Sequence, residues 1–292
     1  MKTFKEYHPL VGFLYFSAVI GFSMVFMHPV CAILSLLVGV FTFGFLKGLR
    51  QIPKVLVGFL ALIIFGGIFN GIFNHRGVTI IAYLPSGNPL TLEAIIYGAV
   101  ASTVIGSVMC WFFCLNLVMT SEKIMYLFGR ILPSLALVFS MTLGFGEKFT
   151  RQMSDSMMAQ SCLKITETKN SKMLRIKSAI TAFSASLSIM LEDSIETANS
   201  MRARGYGLAG RTAFSLFMFE KRDLIMVIVI FVLSALVVIS GIKQIFSFEA
   251  FPSISFQPIA AENLWAYVAY LALLSIPIFV GIWGEIKWKF LE

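Results

Sequence analysis

Long uninterrupted runs of apolar residues dominate the chain and divide it into a series of predicted helices. Four of the six longest runs lie in the first 120 residues and two close the chain. They cover residues 10–27, 30–46, 55–74, 94–119, 224–242 and 264–284. Each is close to the roughly 20 residues that a helix needs to cross the hydrocarbon core of a bilayer. The pattern therefore predicts six membrane-spanning helices.

The segment between the fourth and fifth runs has a different character, because charges of both signs return in residues 121–222. Its apolar piece, residues 131–146, is short for a crossing and predicts a tilted or buried helix that begins at Pro133. Residues 147–165 predict a first amphipathic helix. After a polar connector, residues 172–207 predict a second and longer one.

Apolar residues recur at steps of three or four along the longer helix and form one stripe on its surface. The stripe consists of Ile176, Ile180, Phe183, Leu187, Met190, Ser194, Ala198 and Met201. Small residues beside it, such as Ala182 and Ser186, predict close contact with another helix. The helix ends at Arg202 and Arg204, followed by Gly205, which offers the left-handed conformation that commonly stops a helix. Cations also suit the negative end of a helix dipole, so these arginines are interpreted either as a cap or as a docking point.

The predicted outer segment before the fourth span has the composition of a loop with a short β-strand. Residues 75–89 carry turn-forming residues around a β-branched and aromatic patch at 78–83, which predicts a strand or hairpin. Thr91 is predicted to cap the following helix, and Glu93 suits its first turn.

Composition supports a polytopic membrane protein over a large soluble core, since 58% of the 292 residues are hydrophobic and 13% are charged. Cys110 and Cys114 are four residues apart in one apolar run, but His8, His28 and His75 lie far away in sequence. We therefore expect small-residue packing at the cysteines, with no metal site, redox site or cofactor.

The distribution of positive charge predicts the orientation of the chain. With a cytoplasmic amino terminus, six spans place 21 of the 23 Lys and Arg residues inside and leave Arg76 and Lys243 outside. Both termini are then cytoplasmic in a multi-pass protein of the cell membrane. The formal net charge of +8 indicates this topology and attraction to membrane lipid, with no need for a nucleic acid partner.

The chain is accordingly divided into an amino-terminal region of four spans at 1–120, a cytoplasmic or interfacial region at 121–222 and a carboxy-terminal pair of spans at 223–292. The six spans contain no Asp, Glu, Lys or Arg, which argues against a stand-alone secondary carrier or channel. Asn70, Asn74 and Asn116 are explained by hydrogen bonds between helices. Zinc-protease, nucleophile-elbow and P-loop motifs are absent, so no catalytic residues are expected. A membrane scaffold remains an alternative.

Several segments in order resemble the transmembrane T component of energy-coupling factor (ECF) transporters. They are the four-span start, Leu90-Thr91-Leu92-Glu93-Ala94, Thr120-Ser121-Glu122, the Pro133-centred apolar segment, the two cytoplasmic helices and Arg202-Ala203-Arg204-Gly205-Tyr206. The resemblance implies a non-catalytic subunit of an ABC-type importer. Two cytoplasmic ATPases would bind it, and a separate S component would capture a vitamin or metal ion.

The family's two coupling helices each end in an Ala-Arg-Gly-like motif whose arginine docks in a groove of one ATPase. By this resemblance, Arg202, Ala203, Arg204 and Gly205 form the second docking motif. In the first helix Ala159 and Gln160 are in place, but Ser161-Cys162-Leu163-Lys164 stands where the family has Arg-Ala-Arg-Gly. Lys164 is then a weaker docking residue, since lysine lacks the planar fork of arginine.

Overall fold

The computed structural model describes residues 4–83, 88–129, 132–163, 172–208, 217–251, 254–256 and 263–289, and these are almost entirely helical. Nine α-helices form within these ranges. They are α1 (Pro9–Val25), α2 (Pro29–Lys47), α3 (Ile52–Phe73), α4 (Leu92–Val118), α5 (Ser121–Gly129), α6 (Pro133–Leu163), α7 (Lys172–Ala203), α8 (Lys221–Ile242) and α9 (Leu264–Lys289).

Five helices of the described chain are long and apolar enough to cross a membrane, namely α2, α3, α4, α8 and the Leu264–Gly284 part of α9. Helix α1 is also apolar but has only 17 residues, which span about 25 Å at 1.5 Å per residue. The fold is therefore that of an all-α, multi-pass membrane protein. Five long apolar helices and the shorter α1 stand where six spans were predicted.

The helices group into two compact units. Met1–Ile124 and Phe217–Glu292 form one, which we call the apolar unit, and Met125–Leu216 forms the other, the two-helix unit. The apolar unit is built from α1 to α4 together with α8 and α9, and the two-helix unit from α6 and α7.

Aromatic side chains and a chain of hydrogen bonds fill the core of the apolar unit. Trp111, Tyr15 and Tyr270 are fully buried there. Trp111 Nε1 donates to Ser35 Oγ at 3.0 Å, and Ser35 Oγ lies 2.8 Å from Ser23 Oγ, which is 3.3 Å from the Tyr270 hydroxyl. These bonds join α1, α2, α4 and α9, and they satisfy polar groups in a region where lipid offers no partner.

Glycines allow α3 and α4 to approach closely. A Cβ on Gly98 of α4 would lie 2.6 Å from the Gly66 carbonyl oxygen and 3.2 Å from Gly67 Cα, both backbone atoms of α3. Asn70 Nδ2 donates to the Ala94 carbonyl at 2.6 Å across the same contact. The expectation that Asn70 bonds between helices is thus confirmed, and the approach requires the missing side chain of Gly98.

A short hairpin precedes α4, as the patch at 78–83 predicted. Strand β1 (Ile80–Tyr83) pairs antiparallel with β2 (Pro89–Thr91). Thr91 occupies the position before α4 but does not cap it, which corrects the prediction. The reason is a competing acceptor, because the Thr91 hydroxyl donates to the Arg76 carbonyl at 2.8 Å. Glu93 in the first turn is buried and accepts the Thr79 backbone N–H at 3.0 Å.

A second, shorter ribbon lies between α8 and α9, where β3 (Phe248–Glu249) pairs antiparallel with β4 (Ser255–Phe256). Pro252 and Pro258 of the same connection lie outside the described residues. The ribbon therefore accounts for the described part of this connection.

The starts of α1 and α8 meet at one end of the apolar unit. The Asp223 carboxylate accepts the His8 backbone N–H at 3.4 Å and the Glu220 backbone N–H at 3.0 Å. The Glu220 carboxylate in turn accepts the Asp223 backbone N–H, which completes a capping box at the start of α8. His8 in turn caps α1, because its Nδ1 accepts the Leu10 N–H at 3.2 Å.

Helix α6 is continuous over 31 residues, which corrects the prediction of a separate apolar piece at 131–146 and an amphipathic helix at 147–165. The change in composition near Gly146 does not break the helical backbone. Gly144 and Gly146 are open positions, since a Cβ at either would meet nothing within 4 Å. Helices tolerate such glycines at a cost of about 1 kcal/mol each relative to alanine.

Helices α6 and α7 touch through small residues, as the sequence predicted. Ala182 and Ser186 of α7 are fully buried. Ser186 Oγ lies 3.0 Å from Ser156 Oγ of α6, and the rings of Phe149 and Phe183 meet edge to face with centroids 5.7 Å apart. Small side chains at the contact let the two backbones come close, which large apolar residues would prevent.

Candidate docking site

The carboxyl end of α7 closes in a Schellman motif around Gly205. The Tyr206 N–H donates to the Met201 carbonyl and the Gly205 N–H donates to the Arg202 carbonyl, each at 3.0 Å. Gly205 has φ of 79°, the left-handed conformation that this motif requires. The prediction that Gly205 stops the helix is confirmed, although the regular helix ends at Ala203, before the predicted limit of Gly207.

This motif fixes the backbone that carries both arginines. Arg202 lies in the last turn of α7, and the Arg204 N–H still donates to the Ser200 carbonyl at 3.1 Å. The side chains of Arg202, Ala203 and Arg204 are all exposed. The guanidinium groups therefore extend from an ordered helix end into solvent.

Arg204 also lines an open polar cleft of about 420 Å³ within the two-helix unit. Helix α7 contributes acidic and hydroxyl side chains at helical spacing, and α6 contributes one lysine. The other lining residues are Lys148, Asp193, Glu196, Thr197, Ser200 and Met201. The spacing along the chain is three or four residues from Asp193 through Glu196 or Thr197 and Ser200 to Arg204. These residues therefore lie on one face of α7 and of the turn that ends it.

The cleft has balanced charge, with the carboxylates of Asp193 and Glu196 beside the cations of Lys148 and Arg204. Arg204 makes no ion pair within 4.0 Å with any residue in the described ranges. Exposed ion pairs are in any case worth only about 0 to 1 kcal/mol. The Arg204 guanidinium would therefore lose little existing electrostatic stabilisation if it bound a carboxylate.

The described residues of the first predicted docking end, Ala159 and Gln160, do not line this cleft. Ala159 is exposed and Gln160 is half-buried near the end of α6, and Lys164 lies outside the described residues. The α6 residue that lines the cleft is Lys148, about three helical turns before Ala159. The structure consequently groups Arg204 with Lys148, apart from Ala159 and Gln160.

The amino-terminal half of the predicted apolar stripe on α7 is exposed. Ile176 and Ile180 retain 60% and 63% of their accessible surface, and Phe183 and Leu187 retain 46% and 42%. Contact with α6 uses Ala182, Ser186 and, from the stripe, one edge of the Phe183 ring. Contiguous exposed apolar surface of this kind is typical of an interaction surface or of contact with lipid.

The cysteines serve packing where they are buried. Cys110 and Cys114 are fully buried in the apolar unit, and the Cys114 thiol lies 3.7 Å from the Gly39 carbonyl. Cys162 is free and exposed on α6. Among the described residues, no three His, Cys, Asp or Glu side chains lie close enough together to hold a metal ion.

Sequence reasoning missed the companions of Arg204. The acidic part of the cleft had a readable signal, since Asp193 and Glu196 precede Arg204 at distances that place them on one helical face. No sequence signal pointed to Lys148, because its proximity to Arg204 depends on how α6 packs against α7.

The fold and site together define a class: an all-α membrane protein with an arginine-bearing helix end and a polar cleft on a two-helix unit. No protein-family model matches the chain, and no curated protein is significantly similar to it.

Proposed function

We propose that the chain is the transmembrane coupling subunit of an ABC-type importer of the ECF kind. Two cytoplasmic ATPases bind it, and a separate S component brings a vitamin or metal ion. The observation that carries the proposal is Arg204, which extends from a rigid helix end beside Asp193, Glu196 and Lys148. The subunit itself contributes no catalytic group, and ATP hydrolysis belongs to its partners.

The chemistry of Arg204 suits docking into a carboxylate- or carbonyl-lined groove. A guanidinium offers five N–H donors in a fixed fork, and a charge-assisted contact contributes about 1.5 to 3 kcal/mol. The hydrogen bonds around Gly205 hold the Arg204 backbone to α7. A force on the Arg204 side chain is therefore transmitted to α7, whereas a flexible tail would absorb it.

The contact between α6 and α7 supports transmission of that pull. The buried side chains of Ala182 and Ser186 are small and project little from the helix surface. The two helices can therefore shift against each other with small steric cost. The exposed apolar surface at Ile176 and Ile180 then offers the S component a face that moves with α7. In this proposal six spans cross the cell membrane and both termini are cytoplasmic.

The experiment compares two variants with the parental protein, each purified from native membranes. The double variant Arg202→Glu with Arg204→Glu should lose its ATPase subunits, with at least about a tenfold fall in co-purified ATPase, because buried charge reversal costs about 2 to 5 kcal/mol. Lys177→Glu is the matched control, since it reverses an exposed charge on the same helix. Membrane abundance should stay near the parental level in both, as exposed substitutions usually cost within about 0.5 kcal/mol.

ATP-dependent uptake should fail in the double variant and persist in Lys177→Glu. If the double variant still co-purifies with ATPases and transports normally, Arg202 and Arg204 only cap the helix and the proposal is wrong. Substrate flux through the purified chain alone in liposomes would instead indicate a carrier or channel. A stable partner other than ATPases would indicate a membrane scaffold.

A further inference from the structure

An apolar groove of about 430 Å³ runs along the surface between α8 and α9 in the apolar unit. Helix α8 lines it with Ile225, Met226, Val229 and Leu233. Helix α9 lines it with Ala272, Ile276, Phe279 and Val280. The remaining two lining residues, Tyr7 and Arg222, are polar and lie at one end. The groove therefore has a hydrocarbon-like body and a single polar mouth.

The dimensions of the groove match one hydrocarbon chain of one leaflet. From Arg222 to Leu233 the helix rises about 16 Å, close to the roughly 15 Å depth of half a bilayer core. Its volume then gives a width of about 5 Å, comparable with the roughly 4 Å contact distance between carbon atoms.

The mouth carries a guanidinium beside an aromatic ring. The Arg222 guanidinium lies 5.4 Å from the centroid of the Tyr7 ring, and its Nε lies 2.9 Å from a Glu220 carboxylate oxygen in an ion pair. That pair holds the guanidinium in place, although the Nε makes no hydrogen bond to any residue that the structure describes. The neighbouring Asp223 carboxylate is committed to the His8 and Glu220 backbone N–H groups. Burial raises the pKa of Tyr7, so its hydroxyl remains a neutral donor.

We propose that this groove binds a membrane glycerophospholipid, with one acyl chain along α8 and α9 and the phosphate on Arg222 and the Tyr7 hydroxyl. Such a lipid covers the apolar side chains between the two helices and bridges them at the membrane surface. The inference requires only that the chain lies in a membrane, and it is independent of the coupling role.

The test uses the full chain in nanodiscs of phosphatidylcholine that contain a phosphatidylglycerol probe with a photoactivatable acyl chain. Cross-linked peptides are mapped by mass spectrometry. Label should concentrate on the groove residues of α8 and α9. Val229→Trp should fill the groove and remove this label, whereas Ile228→Trp, on an exposed neighbouring position outside the lining, should retain it. If Val229→Trp does not fold, Ala272→Leu provides a second test, because it narrows the groove from the α9 side and should also reduce the label.

The mouth is tested by a matched pair of charge removals. Arg222→Gln should reduce label by about tenfold through loss of a charge-assisted hydrogen bond. Lys221→Gln removes an adjacent exposed charge that does not line the groove and should leave labelling unchanged. Equal labelling of the Ile228 face, or equal loss in both members of a pair, overturns the proposal. A co-purified polypeptide that cross-links to Val229 in place of the lipid also overturns it.

Discussion

Replacement of Gly98 by alanine tests whether α3 and α4 depend on direct backbone contact. The added Cβ would lie 2.6 Å from the Gly66 carbonyl oxygen, 3.2 Å from Gly67 Cα and 2.5 Å from Asn70 Cβ. Since none of these atoms moves with a side-chain rotamer, the two helices must separate to admit the methyl group. Separation also stretches the bond from Asn70 Nδ2 to the Ala94 carbonyl.

The size of the effect follows from three contributions. Overpacking in a close contact costs about 1 to 3 kcal/mol, and a weakened hydrogen bond costs about 0.5 to 1.5 kcal/mol. In the opposite direction, alanine stabilises a helix by about 0.8 to 1 kcal/mol relative to glycine. The free energy of unfolding should therefore fall by about 2 kcal/mol in Gly98→Ala.

The assay is unfolding by a denaturing detergent in mixed micelles, with helicity followed by circular dichroism. Gly58→Ala in α3 is the matched control, because a Cβ there meets nothing within 4 Å. It should be neutral or slightly stabilising. If Gly98→Ala proves as stable as Gly58→Ala, the backbone contact between α3 and α4 does not exist as described.

Two further predictions concern pH and topology. Burial lowers the pKa of His8 and of His28 below 6.5. Between the folded-state pKa values and 6.5, the unfolded chain therefore binds more protons than the folded chain. The melting temperature should be steady above pH 6.5 and fall as the pH drops below it. His28→Leu should weaken this dependence, since neither buried ring nitrogen of His28 has a hydrogen-bond partner among the residues that the structure describes. Equal melting temperatures at pH 7 and 5 would contradict the prediction. Native Cys162, which is exposed on α6, should resist an impermeant maleimide on intact cells and react in inside-out vesicles. Asn88→Cys with Cys162→Ser should show the reverse behaviour, and the opposite pattern for the pair would invert the predicted orientation.

The sequence alone determined the membrane class, the positions of most helices and the end of α7. These are local properties: a long apolar run demands a helix in lipid because no water is present to satisfy its backbone. Gly205 can adopt positive φ at little steric cost, whatever surrounds it. The strand at Ile80–Tyr83 likewise followed from β-branched residues between turn formers.

Only the tertiary structure decided which distant residues share a site. The bond from Thr91 to Arg76 depends on what a neighbouring segment offers, and composition does not record that. Lys148 joins Arg204, and Arg222 meets Tyr7 at the mouth of the groove, through the packing of helices far apart in the chain. Periodicity shows which face of a helix is apolar or charged, whereas the partner of that face is set by the close packing of all the helices together.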